Sequence, residues 1–136
     1  MSPLHAVRVD MVLVGLGIPL MTIYFPDYVI AKDYDFVLGS INLATSATPK
    51  QGEISTTLVG SRASAQSTTI PLVSNAIQLL LPPTLLQPFA NIINNGTIYF
   101  RPTGSYLTNL DGSAVNMLLT PLPIDVVFDG LMFLIN

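Results

Sequence analysis

The chain has 136 residues, half of them hydrophobic and only 10% charged, with a formal net charge of −3. That length fits one domain over residues 1–136, and the hydrophobicity excludes a disordered chain, which is poor in apolar residues and rich in charge. The basic residues Arg8, Lys32, Lys50, Arg62 and Arg101 are scattered, so they form no stripe to track a nucleic-acid backbone, and the lack of cysteine excludes disulfides, thiolate zinc sites and cysteine nucleophiles.

The first predicted strand alternates Val7, Val9, Met11 and Leu13 with Arg8 and Asp10, and Gly15-Leu16-Gly17 breaks it. A second strand runs from Ile18 to Phe25 and ends at Pro26-Asp27. The apolar run Met11–Ala31 is interrupted by glycine and proline, so it reads as paired strands. It suits neither a membrane span nor a signal peptide. A third strand starts at Tyr34, Phe36 and Leu38 and continues through Ile41 and Leu43. Residues 45–52 read as an exposed loop, and Ile54, Thr56 and Leu58 as another strand. Gly60–Gln66 reads as a connection, and Ser67–Val73 as an edge strand carrying Pro71.

Residues 75–94 are expected to form one short or broken helix. Ser74 or Asn75 caps Ala76–Leu81, Pro82-Pro83 breaks it, and Leu85, Phe89, Ile92 and Ile93 follow at helical spacing up to Gly96. Thr97–Arg101 returns to strand. Ser105–Leu110 and Ser113–Leu119 flank Asp111-Gly112, a pair suited to a tight primed hairpin turn. Asp129-Gly130 separates Ile124–Phe128 from Leu131–Ile135 in the same way. Together these elements predict an all-β fold, a two-layer antiparallel β-sandwich of the immunoglobulin or fibronectin-III type with one helical interruption.

Chemistry-bearing patterns are sparse. His5 has no nucleophile placed for it by any motif, and no serine sits in a Gly-x-Ser-x-Gly elbow. Asp33 and Asp35 share one face of a strand and are the candidates for a metal or an acid–base pair. No calcium-loop spacing surrounds them. Gly15-x-Gly17 lacks the third glycine and the following helix of a dinucleotide fingerprint. Asn95-Gly96-Thr97 is a glycosylation sequon that also reads as a turn. Tyr24, Tyr28, Tyr34, Tyr99 and Tyr106 follow strand alternation, which places them in packing and cross-strand pairs. No catalytic residue and no cofactor are assigned.

From Gly52 onward the order of elements resembles the LEA-2 family, the LEA14-like water-stress domain. The matching features are the polar stretch Gly60–Gln66, the strand Thr68-Thr69-Ile70-Pro71-Leu72-Val73, the segment Ala76–Ile93, and the closing strands Gly96–Gly104 and Leu122-Pro123-Ile124 to Gly130. The resemblance covers about the last three-fifths of the chain. The Asn-Pro pair usual in that family is absent. It implies an immunoglobulin-like sandwich and a protective or interaction role, with no catalytic residues to transfer.

Soluble domains usually carry about 25% charged residues, so surplus apolar surface here is expected to meet other protein. The leading expectation is therefore a non-enzymatic subunit of a larger assembly: a coat, filament, capsid-associated or appendage component. Its partners are other subunits, with peripheral lipid contact allowed, and its place is extracellular or on a particle surface. The alternatives are an LEA-2-like stress-protective or apolar-ligand-binding domain, and a metal-assisted enzyme using Asp33 and Asp35.

Overall fold

The computed structural model describes residues 3–14, 18–30, 34–58, 62–64, 73–81, 83–89 and 96–128. Among the described residues ten strands carry the fold: β1 (Arg8–Val14), β2 (Ile18–Ile30), β3 (Tyr34–Val37), β4 (Ile41–Ala44), β5 (Ser55–Thr57), β6 (Arg62–Ser64), β7 (Val73–Leu80), β8 (Ile98–Pro102), β9 (Leu107–Asn109) and β10 (Leu122–Phe128). Seven of them form one sheet in the order β5-β4-β8-β10-β1-β2-β7, and β6-β3-β9 form a smaller one. The large sheet curls into a half-barrel. The fold is all-β.

Alternation explains why these segments are strands. Val9, Met11 and Leu13 of β1 are buried, as are Met21 and Ile23 of β2. The register lines them up: Ile77, Ile23, Val9, Ile124 and Ile98 make one buried row across β7, β2, β1, β10 and β8. Such a row removes apolar area from water on one face, at about 1.5–3 kcal/mol per aliphatic side chain. Phe100 of β8 stands in register between Leu43 of β4 and Leu122 of β10.

The small sheet joins the same core through its aromatics. Phe36 of β3 is buried and stacks on Tyr106 at 6.5 Å between centroids. Tyr106 meets Phe100 of the large sheet edge-on at 5.3 Å. Both sheets therefore contribute to one hydrophobic cluster.

Several sequence expectations need correction. The helix expected at Ala76–Leu81 is part of strand β7 and its continuation: Ile77, Leu79 and Leu81 are buried at period two, and β7 pairs along β2. A six-residue apolar run fits either period, and pairing with β2 outweighs the helix preference of Ala, Gln and Leu. The only helical turns among the described residues are 3-10 segments at Leu38–Ser40 and Pro83–Phe89. Leu38–Ser40 splits the expected single strand in two, sending Tyr34–Val37 to the small sheet and Ile41–Ala44 to the large one.

β2 does not stop at Pro26-Asp27. It continues to Ile30 through a register shift between Tyr24 and Val29, and a bulge is where a strand accommodates a proline with no N–H to donate. Arg62–Ser64, expected as connection, is strand β6. The sheet is not purely antiparallel either, because β1 pairs with β10 in parallel from Val9↔Ile124 to Leu13↔Phe128. Residues 65–72, Asn95, and the segment 129–136 with its Asp129-Gly130 turn lie outside the described residues.

The Asp111-Gly112 turn falls where the sequence places it, in a different form. A primed turn needs positive φ at both central residues. Here Gly112 has φ of 92°, and no described non-glycine residue has positive φ. Gly112 N–H donates to the Asn109 carbonyl at 2.9 Å, and Asn109 N–H donates to the Ser113 carbonyl at 2.8 Å. This is the three-residue hairpin loop closed by a glycine bulge. The arm beyond it forms only isolated bridges, Thr108↔Ala114 and Leu4↔Met117, and not a full strand. A Cβ on Gly112 would meet nothing within 4 Å, so Gly112→Ala isolates the backbone cost. Chemical denaturation should show a loss of about 1 kcal/mol.

Candidate functional site

The densest polar constellation lies on the outward face of β4, β5 and β8. Ile41 and Leu43 point into the core, so alternation turns Asn42 outward, and Phe100 and Pro102 do the same for Arg101. The register sets Asn42 opposite both Thr57 and Arg101. Asn42 Nδ2 donates to Ser55 Oγ at 3.0 Å and to Thr57 Oγ1 at 3.3 Å. Its Oδ1 accepts from Ser55 Oγ at 3.2 Å and from Arg101 Nη1. Arg101 Nε donates to the Ala47 carbonyl at 2.9 Å.

Through Ala47, Arg101 ties the loop between β4 and β5 down onto the sheet. Asn42 is only 5% exposed and Ala44 is fully buried although both face outward. The loop closes on itself as well. Thr45 N–H donates to the Ile54 carbonyl at 3.1 Å, Glu53 N–H to the Lys50 carbonyl at 3.0 Å, and Thr45 Oγ1 to Glu53 Oε2 at 3.3 Å. Gly52 supplies the positive φ, 93°, that this turn requires. The arrangement holds a loop in one shape, since Asn42 donates and accepts within the network.

A hydrogen bond from the Lys50 backbone is the main reason the Glu53 carboxyl titrates below its ordinary value. Glu53 is exposed, and its lowered folded-state pKa fixes the sign of the effect. Its contribution to holding the loop is present above the unfolded glutamate pKa, about 4.3, and is lost as pH falls through the lower folded value. An NMR titration should show Glu53 titrating below model glutamate, with loop amide exchange rising through the same step. Glu53→Gln should abolish that step.

A second cluster lies at the start of β1. Arg8 Nη2 donates to Asp10 Oδ2 at 3.0 Å, and its guanidinium carbon lies 4.0 Å from the centroid of the Tyr24 ring. β1–β2 register opposes Arg8 and Tyr24 directly. An exposed pair of this kind contributes little to stability. The hairpin turn repeats the pattern: Asp111 Oδ1 accepts from Ser113 Oγ at 2.6 Å and Ser113 N–H at 2.9 Å. Those bonds, the hydroxyl first, hold the Asp111 carboxyl below its usual range.

Tyr106 is the buried group without an evident use. It is 1% exposed, burial pushes its hydroxyl well above the ordinary phenol range, and that hydroxyl has no hydrogen-bond partner among the described residues. An unsatisfied buried hydroxyl costs about 1–3 kcal/mol. Tyr106→Phe should therefore raise stability by about 1 kcal/mol in a denaturant titration.

The residues singled out in the sequence are not gathered at one place. Asp33 lies outside the described residues, as do Gly15 and Gly17. Asp35 is half-buried in the middle strand of the small sheet, in register with Ser64 and Thr108. His5 lies beside the Leu4↔Met117 bridge. No group of three or more His, Asp or Glu side chains converges among the described residues. Gly96 and Thr97 of the sequon are exposed. Sequence reasoning missed Asn42 and Arg101. Their one local signal is a polar residue alternating between buried apolar neighbours.

No family model, curated protein or solved structure matches the chain. The class the fold defines is an all-β domain whose curled mixed sheet shares one core with a three-stranded sheet. No helix among the described residues is long and apolar enough to cross a membrane.

Proposed function

We propose that this chain is a non-enzymatic interaction module that acts as a subunit of a larger protein assembly, of the coat, filament, capsid-associated or appendage kind. The observation that carries the reading is where apolar side chains meet solvent. Val7, Leu110, Leu118 and Leu119 are the exposed large hydrophobics among the described residues. Three of them fall within Leu110–Leu119, the hairpin tip and its arm. The chain carries only 10% charged residues, against about 25% in a usual soluble domain.

The same reading takes the two sheets as the layers of an immunoglobulin- or fibronectin-III-like sandwich, with the Phe36–Tyr106–Phe100 contact in favour. An extracellular or particle-surface setting suits such a subunit. Sedimentation velocity over a wide concentration range tests the proposal, and multiples of the 14.6 kDa chain are the expected result. A monodisperse monomer at the highest concentration overturns it. An LEA-2-like protective role would then be the reading to test, by protection of a client enzyme during drying.

A further inference from the structure

The hairpin tip after β9 carries a dipeptide with its own chemistry. The backbone nitrogen that follows Asp111 belongs to Gly112, which has no Cβ to hinder an approach. Asp111, Gly112 and Ser113 are all exposed, so water reaches the carboxyl and the peptide bond. We propose that Asp111-Gly112 is a site of isoaspartate formation and that the Ser113 hydroxyl restrains it.

The reaction needs no partner but water, and its two reacting groups sit on adjacent residues. The Gly112 nitrogen attacks Cγ of the protonated Asp111 carboxyl and a new C–N bond forms. The carboxyl hydroxyl leaves with the amide proton as water, and the product is a five-membered succinimide. Water then adds to the former main-chain carbonyl of Asp111 and breaks its bond to the Gly112 nitrogen. The chain now runs through Cβ and Cγ, and the old carbonyl becomes a free carboxyl. One water leaves and one returns, and nothing is oxidised or reduced.

The folded hairpin holds the reacting atoms back. Ser113 Oγ donates to Asp111 Oδ1 at 2.6 Å, and Ser113 N–H donates to the same oxygen at 2.9 Å. Both bonds favour the ionised carboxyl, which has no hydroxyl to lose. Asp111 accordingly titrates below the usual carboxylate range, with the Ser113 hydroxyl as the first cause. That hydroxyl is itself aimed, because Asn109 Nδ2 donates to Ser113 Oγ at 3.0 Å and leaves its hydrogen for Asp111. The proton that must leave the attacking nitrogen is engaged as well: Gly112 N–H donates to the Asn109 carbonyl at 2.9 Å. Isomerisation inserts Cβ into the main chain between Asn109 and Ser113. A three-residue loop closed at both of those residues has no room for it, so a converted chain loses the closure.

The test incubates the unaltered chain, Ser113→Ala and Ser113→Thr at neutral pH in heavy-oxygen water, folded and in urea. Isoaspartate at residue 111 is read by peptide mapping, and circular dichroism confirms folding. In the folded state the unaltered chain should convert slowly, Ser113→Ala about tenfold faster or more, and Ser113→Thr slowly again. In urea all three should convert at closely similar rates, above that of the folded unaltered chain. Equal rates in the folded unaltered chain and folded Ser113→Ala overturn the restraint. No isoaspartate at residue 111 even in urea overturns the site. The unaltered chain alone also decides, because conversion as fast folded as in urea overturns the restraint without any variant. Hydrogen exchange separates the hydroxyl from a hairpin that merely opens. The amides of Asn109 and Val115 donate to the Ser113 and Leu107 carbonyls. If they exchange alike in the unaltered chain and Ser113→Ala, the lost hydroxyl bond accounts for the faster conversion. If their exchange rises in step with conversion, the hairpin ladder guards the site and the role of Ser113 falls.

Discussion

Phe100→Ala is expected to lower the unfolding free energy by about 3–5 kcal/mol. Phe100 is fully buried at the junction of the two sheets. It stands between Leu43 and Leu122 in the large sheet and takes Tyr106 against its ring at 90°. Truncation forfeits the transfer free energy of the ring and leaves a cavity that three strands and an aromatic neighbour border. None of these closes in easily, because each is fixed by its own ladder or stack. For a domain stable by roughly 5–15 kcal/mol, the variant approaches marginal stability. Equilibrium denaturation in urea measures the loss. A value under about 1 kcal/mol would mean that the two sheets do not share a core at this ring. Phe100→Leu, which keeps most of the volume, should recover much of the stability.

Asn42→Ala is expected to cost about 2 kcal/mol and to release the loop between β4 and β5. One amide serves Ser55, Thr57 and Arg101; Ser55 and Thr57 are exposed and can turn to water, so its removal falls mainly on the half-buried Arg101. A hydrogen bond to a charged group is worth about 1.5–3 kcal/mol, and the guanidinium is the partner least able to go unpaired. Loop release is read by trypsin cleavage after Lys50, which is exposed within the loop and should be cut faster in Asn42→Ala than in the unaltered chain. Arg101→Met should accelerate cleavage likewise. The double variant should lose less stability than the two single losses combined, since each removes part of the same network. Strict additivity would show that the two side chains act independently.

The strands were legible because one face of each is buried. Val9, Met11 and Leu13 announce β1 by parity alone, and Ile98 and Phe100 announce β8. What parity cannot supply is partnership. Nothing local in Ile41–Ala44 says that it leaves the sheet of Tyr34–Val37: the 3-10 turn between them closes locally, Ile41 N–H on the Leu38 carbonyl, but its Ser40 carbonyl is held by Thr103 N–H from far along the chain. Ala76–Leu81 was misread for the same reason: its period is fixed by β2. The Asn42–Arg101 contact joins residues 59 positions apart and becomes visible only once β4 and β8 are paired. The hairpin at Gly112 was found because its chemistry is local, and its exact form was missed because Asp111 keeps negative φ.

The position of β10 has a consequence for synthesis. It is the last described strand in sequence, yet it lies in the middle of the large sheet, between β8 and β1. Until residues 122–128 leave the ribosome, the sheet exists only as two separate pieces, β5-β4-β8 and β1-β2-β7, each with an apolar face and an open edge. Both pieces can be complete once Pro102 is made, so nascent chains carry two sticky half-sheets while residues 103–128 are added, at roughly 5–20 residues per second. β10 joins them in one long-range step. A stop codon before Leu122 would leave that seam open and should send the product to aggregates or proteases, not to a shortened fold.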